Sequence, residues 1–201
     1  MLRGKLGLWH ADNKSARDFA DRIDLSKAWD DPANVAAGKT IVWEFLAPGE
    51  VTVRNEQGFA VSHFAMVRGS NGLDNGMFPD DGHSQLVIPD IKDGTVNTLA
   101  LGQIKTKLGP WIAAGTSTAR FFYPPTAQSQ TPGFCSQHVD AAYFANGDGF
   151  TYFLDMSATN SEALVALAGR DDGVIVDVST LPRYSSATEW KKSKNQGAKV
   201  K

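Results

Sequence analysis

From Lys39 onward, apolar side chains recur at every second position, the period of a half-buried strand. Ile41, Trp43 and Phe45 share one face, and Val42, Glu44 and Leu46 share the other. Residues 50–54 alternate again after the turn Pro48-Gly49. Phe59, Val61, His63, Ala65 and Val67 then line one side of a longer strand. Shorter strands are predicted at 85–88, 95–101, 103–107, 111–114 and 118–123. Residues 139–145 and 150–156 read as a hairpin around Asn146-Gly147-Asp148-Gly149, and Val174 opens another strand over 174–179. Helical spacing occurs twice. Ala16, Phe19, Ala20 and Ile23 mark a helix over residues 13–30 that Asp30-Asp31-Pro32 should end. Glu162, Ala163, Leu164 and Ala166 mark a short one closed by Gly169.

Nine or ten short strands with frequent turns predict a mainly β chain: a single-domain antiparallel sandwich, jelly-roll-like. The expected organisation is an N-terminal arm with a short helix (1–38), the β domain (39–182) and an extended C-terminal tail (183–201). Two loops interrupt the pattern, at 69–83 and 126–136.

Composition sharpens the fold class. The 201 residues include 17 Asp but only 5 Glu, a ratio that favours turns and caps over long helices. The single Cys135 excludes an intrachain disulfide. The first ten residues lack the apolar run of a signal peptide, and the least charged stretch, 108–139, holds four prolines, so no spanning helix is expected. Synthesis in a reducing cytoplasm fits a single thiol.

Charge is uneven. Residues 183–201 carry a net +5 and the remainder −7. Lys191, Lys192, Lys194, Lys199 and Lys201 form a basic tail suited to nucleic acid or an acidic partner. The charge-poor stretch holds Trp111, Phe121, Phe122, Tyr123 and Phe134, and aromatic enrichment with charge depletion suits a subunit interface.

Reactive groups are sparse. Cys135, His138 and Asp140 lie close in sequence, but a thiol–imidazole pair normally assembles from distant positions. Asp80, Asp81 and His83 could bind a metal or act as acid and base, and Asp74, Asn75 and Asp148 could add oxygens, although they lack the order of a calcium loop. His63 on an apolar face is expected to be a satisfied core histidine. Phosphate-loop, dinucleotide and nucleophile-elbow patterns are absent, and no cofactor is implied.

These features together point to a non-enzymatic structural protein of a large assembly: a viral capsid, coat or decoration protein. It would bind copies of itself and other shell proteins, be made in the host cytoplasm and reside in the virion. The alternative is a carbohydrate- or ligand-binding sandwich using one of Trp9, Trp29, Trp43, Trp111 and Trp190. A hydrolase is the third reading.

Overall fold

The computed structural model describes residues 21–79, 86–115, 117–124, 133–138 and 140–197. It divides into two compact units, one formed by residues up to His63 with Lys107–Thr118, the other by Phe64–Thr106 with Ala119–Lys201. The division falls inside the segment 39–182 that the alternation pattern assigns to one domain.

In the first unit, helix α1 (Pro32–Gly38) starts where a helix was expected to stop. The Asp31 carboxylate accepts the Ala33 amide at 2.9 Å, and Pro32 occupies the first helical position, where its missing N–H costs nothing. Residues 21–30 are turns, and 13–20 lie outside the described residues. The period-two run at 41–46 holds a 3₁₀ turn (Trp43–Phe45) in place of a strand. Ile41, Val42 and Phe45 still pack on a core of Ile23, Ala37, Ala60, Trp111 and Ile112. The Trp111 indole donates to the Thr40 carbonyl at 3.0 Å, so its one polar atom is satisfied inside that core.

The second unit is built on one six-stranded sheet, ordered β3-β1-β2-β4-β5-β6. Its strands are β1 (Phe64–Ser70), β2 (Leu99–Gln103), β3 (Ala119–Phe122), β4 (Ala141–Asn146), β5 (Thr151–Asp155) and β6 (Arg183–Tyr184). The β4–β5 hairpin forms as its turn residues predict, with Tyr143 opposite Phe153. Two expectations change. The sheet is mixed, because β1 and β3 pair in parallel. No second sheet completes a sandwich among the described residues, so the fold is β-rich with few helices. The predicted strands at 111–114 and 174–179 are turn and irregular backbone, and Val178–Thr180 is a 3₁₀ turn.

Phe122, Phe134 and Phe144 pack ring against ring at 5.8–6.0 Å. Phe134 and Phe144 close over Gly102 of β2, where a Cβ would stand 2.4 Å from the Phe134 ring. Gly102→Ala should therefore overpack the core and lower stability by about 1–3 kcal/mol. Urea unfolding checks this, and an unchanged midpoint would refute the close approach.

Helix α2 (Ser161–Ala168) begins at Asn160, whose side chain accepts the Glu162 amide at 2.8 Å. Leu164, Ala166, Leu167 and Ala168 are its buried residues, and it packs on β1 and β2. The C-terminal segment departs most from expectation. It forms helix α3 (Ala187–Gly197) instead of an extended tail. Ser186 Oγ accepts the Glu189 amide, and the Glu189 carboxylate accepts Ser185 N and Oγ at 2.8 and 2.6 Å. Trp190 supplies the apolar face that the composition of the tail hid, packing on Ala141 and Phe153. No helix among the described residues is long and apolar enough to cross a membrane.

Candidate interaction surface

Burial sorts the predicted site residues. Trp111, Phe122 and Phe134 are core residues, each less than a twentieth exposed, so they offer no area to a second chain. Charge depletion at these positions reports the protein's own interior. Phe121 and Tyr123 are half-buried, and the Arg68 guanidinium lies 4.6 Å from the Phe121 ring centre. Among the tail lysines, Lys191 and Lys192 are exposed on α3, and Lys194 is held at 2.7 Å by the Asp155 carboxylate. Lys199 and Lys201 lie outside the described residues.

Among the described residues, Cys135 and His138 form no nucleophile–base pair. Cys135 is a half-buried free thiol whose backbone amide donates to the Gln103 carbonyl, and it makes no hydrogen bond with His138 among the described residues. The His138 ring instead lies 4.6 Å from that of Trp190. Asp74 pairs with Arg68 at 2.8 Å, and Asp148 accepts the Phe150 amide in the hairpin turn. Asp80, Asp81 and His83 are outside the described residues. Among the described residues, no cluster of three or more His, Cys, Asp or Glu could hold a metal ion.

His63 is the satisfied core histidine that its strand face suggests. Its Nδ1 accepts the Ala47 amide at 3.0 Å, and Nε2 lies 2.8 Å from the Thr52 carbonyl, to which it donates as the neutral tautomer. Burial holds its pKa below the usual imidazole value. Of the tryptophans, Trp111 and Trp190 are buried and Trp29 packs edge-on against Phe59, whereas Trp43 is 71% exposed.

The second unit carries a feature that the sequence does not announce. Arg170 and Asp93 tie three turns together. The Arg170 guanidinium donates to the Gly76 carbonyl at 2.8 Å, and its amide donates to Asn75 O. The Arg170 carbonyl accepts the Asp93 amide. The buried Asp93 carboxylate accepts the Asp172 and Gly173 amides, each at 3.0 Å. Desolvation and the neighbouring Asp93 push the Asp172 carboxyl above its ordinary value, while the Val174 amide pulls it down.

Large aliphatics stand uncovered on or beside these pinned turns: Leu73 on the first, Val87 and Ile88 on the second, Val174 and Ile175 on the third. Ile88 is 75% and Ile175 72% exposed. Single exposed aliphatics are ordinary, and these five lie on turns or within a few residues of the Arg170–Asp93 hydrogen bonds. Beside them, an open groove of about 900 Å³ runs between α2 and residues 172–176. Asp-Gly at 93–94 and 172–173 signals both turns in the sequence. That Asp93 is buried and reaches the other turn is a tertiary fact. No family model, curated protein or solved structure matches the chain, so the function is argued from these residues.

Proposed function

We propose that this chain is a non-enzymatic structural subunit of a large assembly, of the viral capsid, coat or decoration kind. Its partners in this reading are copies of itself and other shell proteins of a virion. The observation that carries the proposal is the set of exposed aliphatics on and near the turns joined by Arg170 and Asp93. Turns already ordered by part-buried hydrogen bonds lose less further freedom on association, so more of the gain from covering Leu73, Ile88 and Ile175 is kept as binding. Burying one such side chain fully contributes about 1.5–3 kcal/mol. Closed symmetry repeats that modest contact around a shell. Lys191 and Lys192 on α3 would face nucleic acid or an acidic neighbour. A jelly-roll arrangement belongs to this class of subunit as an expectation, but the proposal does not depend on it.

The test compares self-association of the wild-type chain with that of Ile88→Asp and Ile175→Asp by sedimentation velocity. Each substitution should weaken association about tenfold or more, equivalent to about 1.4 kcal/mol, and leave the thermal midpoint unchanged because both side chains are solvent-facing. Association identical to wild type in both variants would overturn the assignment of this surface.

A further inference from the structure

The groove beside the pinned turns has a composition that specifies its occupant. Its apolar lining includes Ala163, Val165 and Ala166 of α2 together with Val174 and Val176. Its two charged lining residues, Glu162 and Asp172, are both acids. The wall formed by 174–176 alternates like a strand in sequence, yet it belongs to no helix, strand or bridge. Among the described residues, the amides of Ile175 and Val176 donate to no backbone carbonyl. A β-prone segment with available backbone groups, an apolar floor and acidic flanks is suited to pairing with an added extended segment that is apolar and basic.

The sequence of residues 2–9 has that apolar and basic composition. Residues 2–9 place Leu2, Leu6 and Leu8 at even positions and Arg3 and Lys5 at odd ones, with no acid among them. Gly4 and Gly7 remove side chains that would hold a backbone away from its partner. The two cations equal the two carboxylates in number and oppose them in sign. We propose that residues 2–9 of a neighbouring copy dock along 174–176, with Lys5 beside Glu162 or Asp172. The inference rests on the assembly reading and names the contact through which one subunit grips the next.

Zero-length carbodiimide crosslinking of the full-length chain tests it. Light and ¹⁵N-labelled copies are mixed before assembly, and the particle mass is measured on the same sample. The expected result is a crosslink between Lys5 and Glu162 or Asp172 in which the two peptides carry different isotopes. Lys5→Glu should cut its yield more than tenfold. Combining Lys5→Glu with Glu162→Lys should restore a crosslink between positions 5 and 162. Crosslinks joining only same-isotope peptides, or none between these positions, would overturn the docking. If particles form at full mass without the crosslink, the docking alone fails. If neither forms, the assembly reading fails with it.

Discussion

Asp155→Ala is expected to cost about 3 kcal/mol and to release α3 from the sheet. Asp155 is almost fully buried at the end of β5, and each of its oxygens is occupied. Oδ1 accepts Ser157 Oγ at 2.6 Å and the Ala158 amide at 3.2 Å. Oδ2 accepts Trp190 Nε1 at 2.8 Å and Lys194 Nζ at 2.7 Å. The Lys194 head is half-exposed and rehydrates when its partner is lost, so the ion pair supplies the smaller part of the effect. The larger part is the buried indole N–H left without an acceptor. Asp155→Asn keeps one acceptor oxygen and should cost about half as much. Hydrogen exchange across α3 reads the release directly, and unchanged protection in Asp155→Ala would contradict it.

Acid should act on the same contact. Burial raises the Asp155 carboxyl's pKa, but hydrogen bonds from Lys194, Ser157 and Trp190 outweigh it and hold the value below the usual carboxylate range. The folded value is therefore the lower one. The stabilisation is complete above about pH 4, the unfolded carboxylate value, and is lost only as pH falls through the folded value. Titration of Asp155 itself should therefore leave the docking of α3 unchanged near neutrality.

His63→Ala should cost the first unit about 3 kcal/mol, because it removes the partners of the Ala47 amide and the Thr52 carbonyl at once and leaves a cavity. The wild-type protein should also weaken in mild acid. The neutral ring accepts at Nδ1, whereas the imidazolium would turn a donor toward the Ala47 N–H. With the folded pKa below the unfolded value, the contribution is present above about pH 6.5 and declines as pH falls below it. His138 acts in the same direction, held down by burial and by Lys191. Thermal midpoints between about pH 7.5 and pH 5 should fall in the wild type and fall less in His63→Ala. Equal slopes in the two proteins would show that His63 does not carry the effect.

Local signals were legible where a few adjacent residues decide the outcome. The β4–β5 hairpin follows from alternation and its Asn-Gly-Asp-Gly turn. Helix α2 follows from Glu162, Ala163, Leu164 and Ala166 with Gly169 at its end. Asp31-Pro32 was misread because an acid before proline can end one helix or cap the next, and sequence spacing alone does not choose. Residues 41–46 show strand alternation, but Ile41, Val42 and Phe45 pack on the core of Ala60 and Trp111 around a 3₁₀ turn that leaves Trp43 exposed. Helix α3 was missed although Ser186 and Glu189 form a capping pattern, because one tryptophan among lysines hardly registers as an apolar face. The hub was out of reach for a different reason: Asp93 meets its partners 79 and 80 positions away, and no local pattern encodes that.

The solution mass of the full-length chain tests the central proposal most directly. Analytical ultracentrifugation over a wide concentration range, alone and with candidate shell partners, should show discrete species far above the 21.7 kDa of one chain. A stable monomer at every concentration, indifferent to those partners, would mean that Leu73, Ile88 and Ile175 are simply solvated and that the chain is no building block.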